Sequence, residues 1–205
     1  MTTIKDKTLR LVQLGLLSGL IILLQAFIVI PLPGSLTLTL VLVPIVVGAV
    51  LYGPKAGALL GGVFGATVSW MAVQLQLGLL TNMMVEYNAV LTVIICMLKG
   101  IAAGWVAGLI AAAFKNSSKP FVGILLAAAA APIVNTGIFL LGIFTVFKDV
   151  ALEWAAKPEI GYTGGSILYI AIFLLVGMNF VIEFAANLIL APSISSIVKA
   201  VKKMH

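Results

Sequence analysis

Histidine is nearly absent from this chain: the one instance, His205, is its last residue. That excludes Ser–His and Cys–His nucleophilic catalysis in the body of the protein, and any histidine-based metal site. A six-span intramembrane serine protease, which needs a serine–histidine dyad, falls with it. Cysteine is as scarce. Cys96 stands alone inside an apolar run, so neither an intramolecular disulfide nor a thiolate metal cluster can form. There is no G-x-x-x-x-G-K-[ST] phosphate loop, which removes ATP hydrolysis through that motif. The paired Asn-Pro-Ala turns of a six-span water channel are missing too. Charge is thin, at 9% of 205 residues. No internal repeat or low-complexity linker divides the chain, so residues 1–205 read as one domain. No metal or cofactor is expected.

What the chain has is apolar surface. Hydrophobic residues make up 62% of it, more than a soluble domain of this length can bury, so an integral membrane protein is expected. Six runs approach or exceed the ~20 apolar residues needed to cross a bilayer: 9–30, 36–52, 56–77, 89–114, 121–147 and 166–198. Each must be helical, because lipid offers no partner to a free backbone amide. The first run follows Lys5, Lys7 and Arg10 but is too long for a signal-peptide core and lacks a small-residue cleavage site, so it reads as a retained span. The net charge of +6 is not a nucleic-acid signal, since the basic residues sit at the ends of the runs. Lys5, Lys7, Arg10, Lys55, Lys115, Lys119, Lys199, Lys202 and Lys203 fall on one side, against Lys148 and Lys157 on the other. The excess places both termini in the cytoplasm. The expected fold is an all-α membrane protein of six transmembrane helices in a compact bundle. Its outer connections are 31–35, 78–88 and 148–165.

Glycine is patterned. Gly57, Gly61 and Gly65 recur every fourth residue after a Tyr52-Gly53-Pro54-Lys55 turn, Gly100, Gly104 and Gly108 repeat the spacing, and Gly15 and Gly19 flank Ser18. Such stripes let helix backbones approach in a bilayer, and packing within the chain is the simpler reading than contact with another subunit.

Ionisable groups inside the runs are costly and so point to function. Lys99 falls near mid-bilayer and Glu183 near the middle of the sixth run. Either they neutralise each other or Lys99 meets a ligand carboxylate. Asn179, Glu183 and Asn187 share one helix face, as do Asn88, Thr92 and Lys99. Asn187 suits a hydrogen-bonded seam, Asn179 a ligand. Asn135 follows Pro132, which frees a backbone carbonyl and marks Asn135 as a ligand donor. Trp70, Gln74 and Gln76 stand near an outer mouth, Trp70 more simply as an interfacial ring.

Together, the six runs, the inward termini, the Leu38–Pro44 approach and the Leu51-Tyr52-Gly53-Pro54-Lys55-Ala56-Gly57 to Gly65 segment resemble the substrate-binding S component of energy-coupling factor (ECF) vitamin transporters. Pro132-Ile133-Val134-Asn135-Thr136-Gly137-Ile138-Phe139 is most similar to the pantothenate-specific group. The resemblance implies a subunit without catalysis of its own. It captures a vitamin from outside with high affinity, docks on a transmembrane coupling subunit that carries two cytoplasmic ATPases, and topples to deliver the ligand inward. It implies docking through Gly15, Ser18 and Gly19. It implies a ligand site in the outer half drawing on Thr37, Asn88, Lys99, Asn135 and Asn179, with Glu183 beside them. Pantothenate, with one carboxylate, an amide and two hydroxyls, suits a lysine and several asparagines. Hydroxymethylpyrimidine or pyridoxine is the alternative ligand, better served by an aromatic clamp that the sequence does not display. A membrane protein merely stapled by Lys99 and Glu183, without transport, is the competing class.

Overall fold

The computed structural model describes residues 4–27, 30–32, 36–38, 40–162, 164, 166–170 and 177–203, with the side chains of 4–6, 30–32, 36–38, 177–179 and 202–203 outside the description. Its elements in chain order are α1 (Ile4–Phe27), β1 (Ile30–Leu32), β2 (Leu36–Leu38), α2 (Leu42–Tyr52), α3 (Pro54–Val73), α4 (Leu79–Ala113), α5 (Pro120–Thr145), α6 (Lys148–Ala156), α7 (Ile167–Tyr169) and α8 (Gly177–Lys203). Five helices, α1, α3, α4, α5 and α8, are long and apolar enough to cross a membrane, and α2 is a shorter apolar helix. The protein is a multi-pass helical membrane bundle. We call the hairpin end outer, following the charge distribution.

The second run departs from the expected span. Residues 36–38 form a strand rather than the start of a helix. They pair antiparallel with β1 in the register Ile30↔Leu38, Pro31↔Thr37, Leu32↔Leu36. The alternation Leu36-Thr37-Leu38-Thr39-Leu40 has the period of a strand, and Pro31 is tolerated because each strand of a two-stranded ribbon is an edge. The eleven residues of α2 rise only about 16 Å, so α2 and the hairpin together occupy the depth that one span was expected to fill.

The outer connections are also more helical than expected. The 78–88 connection is helix from Leu79 onward, joined to the fourth span to make a 35-residue element broken at Asn88 (φ −160°, ψ 95°). At 1.5 Å per residue α4 is roughly 52 Å long, well beyond a ~30 Å hydrocarbon core, so its first turns project. The 148–165 connection carries α6. Within the sixth run the described elements are the single turn of α7 and the long α8.

The closest packing in the bundle is between α3 and α4, and glycine causes it. A Cβ at Gly57 would collide with the carbonyl of Gly104, and one at Gly61 with the carbonyl of Gly100. At Gly65 it would lie 2.8 Å from the carbonyl oxygen of Cys96. Each four-residue step out along α3 is matched by four residues back along α4, as two antiparallel helices require. These two stripes are internal seams. Gly53, at φ 84°, supplies the left-handed turn that lets α2 reverse into α3. At the same inner end the Arg10 guanidinium lies 5.3 Å from the Tyr52 ring, tying α1 to that turn.

The inner half is filled by small apolar side chains. Ala107, Ala127, Ala128, Ala131 and Ala191 are all fully buried, with Ile194 and Val46 among them. A second cluster, formed by Ile95 with Ile143, Phe147, Trp154 and Ile170, lies under α6 at the outer end. A third joins Ile21 of α1 to Ile45, Leu60, Phe64 and Val68.

Candidate functional site

Lys99 lies midway along the membrane-crossing part of α4, half-buried. Its ammonium faces two rings, with Nζ 5.2 Å from the centroid of Phe139 on α5 and 5.8 Å from that of Phe64 on α3. Three helices thus converge on one cation. An aromatic pair does stand in the core, where the sequence showed no clamp. Phe64 is held by the α3–α4 seam, since its ring lies against Gly100, the residue after Lys99. Among the described residues the salt bridge found is Lys157–Glu153 at 3.3 Å, on the surface of α6.

Asn135 sits one helical turn before Phe139, on the same face of α5. It is 8% exposed, and its amide nitrogen Nδ2 has no hydrogen-bond partner among the described residues. Asn88 occupies the break in α4. Its Oδ1 accepts from the Leu91 amide at 3.0 Å, and its carbonyl accepts from Thr92 Oγ1 at 2.9 Å. The side chain therefore caps the helix that leads to Lys99. Glu183 is buried on α8 and engaged in interactions of its own. Its carbonyl accepts a 2.8 Å bond from Asn187 Nδ2, so the amide seam expected of Asn187 closes within one helix. Thr37 lies on β2 and Asn179 in the first turn of α8, and both side chains lie outside the described residues.

Three buried polar groups lie outside the expected set. Gln25 of α1 is 4% exposed, with a single weak contact from Nε2 to Met71 Sδ at 3.9 Å. Ser69 of α3 is buried with its hydroxyl unpartnered, and so is the indole nitrogen of Trp154 on α6. Gln25 was legible as one of two amides, with Gln13, in the first apolar run. Ser69 and Trp154 carried no signal, because a serine in a span and a tryptophan near its end are both commonplace. All three belong to the outer half, as do Asn88 and Asn82. An unpaired polar group costs about 1–3 kcal/mol; such atoms also occur toward the inner side, on Gln13, Tyr52 and Asn187, but the outer half holds the larger share, with Asn82 and Asn135 adding to these three. By contrast, the groove of about 450 Å³ lined by Val134, Gly137, Ile138, Leu140, Leu141 and Phe144 is apolar and lined by α5 alone.

Gly15 and Gly19 differ from the other stripes. A Cβ at either meets nothing within 4 Å, and the neighbouring Leu11 and Leu16 are 70% and 69% exposed. Among the described residues, nothing packs against Gly15 or Gly19 on this face of α1. Trp70, 68% exposed, fits the interfacial reading.

The sequence family described as ECF transporter, substrate-specific component, matches residues 9–195. The chain belongs to this family. No curated protein matches it significantly. As an ECF S component it is the substrate-specific membrane subunit of a transporter and not a catalyst. The competing class, a membrane protein without a part in transport, is thereby set aside.

Proposed function

We propose that this S component captures pantothenate from outside the cell and passes it inward, together with a transmembrane coupling subunit and two cytoplasmic ATPases. The observation that carries the reading is the Lys99 ammonium placed between Phe64 and Phe139, beneath an outer half rich in unpartnered polar atoms and above an inner half sealed by alanine. A charged side chain at mid-bilayer costs about 2.5–3.5 kcal/mol. A ring face returns roughly 0.5–2 kcal/mol, which offsets part of that. A carboxylate 4 Å away returns about 4 kcal/mol at an effective dielectric near 20. An anionic ligand is therefore the stronger partner, and the rings hold the ammonium in its absence. Asn135 supplies a donor for the ligand's amide or hydroxyl oxygens, and Thr37, Asn88, Asn179 and Glu183 are the further residues assigned to the site.

Binding calorimetry of the purified protein against B vitamins and their precursors tests this. Pantothenate is expected to bind most tightly. Lys99→Ala should lower its affinity about hundredfold, the scale of one charge-assisted contact. Unchanged affinity in that variant would refute the role of Lys99. The aromatic pair favours one second reading, a flat heterocycle such as hydroxymethylpyrimidine or pyridoxine stacked where the ammonium now lies. That ligand would bind independently of Lys99.

A further inference from the structure

Trp154 carries a hydrogen-bond donor that no role described so far employs. Trp70 and Trp105 are 68% and 49% exposed, as befits rings lying in a membrane interface. Trp154 belongs to a helix at that same interface, yet it is 1% exposed. Its ring packs inward with Met84, Phe147 and Ile170. The indole can only donate, and Nε1 has no acceptor among the described residues. Neither the Lys99 ammonium nor the Asn135 amide nitrogen can satisfy it, since both are donors too.

The cluster around Trp154 runs on through Ile95 and Phe139. Ile95 stands one turn from Lys99 on α4, and Phe139 is the ring 5.2 Å from the Lys99 ammonium. The indole and the ammonium thus border one apolar cluster, with a neutral donor toward its outer end and a cation toward its inner end. A solute that met both would need an anionic group at one end and an uncharged oxygen acceptor at the other.

We propose that Trp154 is a specificity residue of the substrate site. Its N–H donates to a hydroxyl or amide oxygen of the substrate, remote from the group that Lys99 holds, and α6 forms the roof of the site. The inference rests on the carrier reading above. A simple carboxylic acid without the distal acceptor would leave the N–H buried and unpaired, and is rejected for that reason.

The test is calorimetry with pantothenate on the full chain, with Trp154 as the wild-type residue, as Trp154→Phe, and as the benzothienyl isostere, which keeps the bicyclic shape but has sulfur in place of N–H. Both replacements are expected to weaken binding about tenfold, with the thermal midpoint of the isostere unchanged. In a Trp70→Phe/Trp105→Phe background, the remaining Trp154 emission should shift on ligand addition. If the wild type binds pantothenate and the isostere binds it equally well, the proposal is overturned while the carrier reading stands. Should the wild type bind another vitamin of the panel instead, the pantothenate assignment fails and the same comparison, run with that vitamin, decides Trp154. If the wild type binds none of them, the carrier reading and this inference fall together. Where Trp154→Phe does not fold, the isostere decides alone.

Discussion

A buried amide that finds no partner is a liability in an empty protein and an asset once an acceptor arrives. Asn135 shows both sides. Its Nδ2 is unpartnered on a helix face it shares with Phe139. Replacement by leucine, of similar volume, removes the liability. Asn135→Leu is expected to keep or raise the thermal midpoint of the ligand-free protein while weakening pantothenate binding about tenfold. A fall in both would mean that the amide serves the fold alone. The residue scale is also where the sequence was least explicit. Lys99 and Asn135 stood out because charge and amide are rare in oil. Phe64 and Phe139 did not, since a phenylalanine in a span has no expected direction until helix packing aims it, as the α3–α4 seam does for Phe64. Asn88 was legible as a polar residue on the right face, but its capping role depends on a break in α4 that composition does not mark.

At the scale of elements, spacing was legible and partnership was not. The three glycine stripes look alike in sequence, yet the structure separates them by what lies opposite. Gly61 faces backbone across the seam. Gly61→Val must push α3 from α4 and should destabilise the protein by at least about 1–3 kcal/mol, the scale of overpacking a tight core. Thermal unfolding in detergent would register it. Gly15→Leu/Gly19→Leu enters open space and should leave stability and ligand binding unchanged. If that face docks on the coupling subunit, the double variant loses uptake in cells, and normal uptake would refute the assignment. The long helices followed from apolar run length. The hairpin was missed because a run count does not register the two-residue period of Leu36-Thr37-Leu38, and α6 was missed because its apolar residues are too few to form a run.

For the molecule as a whole, the imbalance of basic residues gave an orientation that chemistry can check. In a Cys96→Ala background, Lys148→Cys should react with an impermeant thiol reagent added outside intact cells. Lys119→Cys should react only after the membrane is opened. The reverse pattern would invert the bundle and put the polar half on the cytoplasmic side. Membrane class, approximate spans and family character could all be read from 205 letters. Which buried polar groups are left without a partner could not, because that depends on which helix faces meet.

The alanine floor has a consequence of its own. A gate normally works by swinging long side chains aside, and a single methyl has nothing to swing. Among the described residues, Ala107, Ala127, Ala128, Ala131 and Ala191 therefore leave no hatch toward the cytoplasm short of prising the helices apart. On the carrier reading proposed above, the cargo would then leave by the opening through which it came.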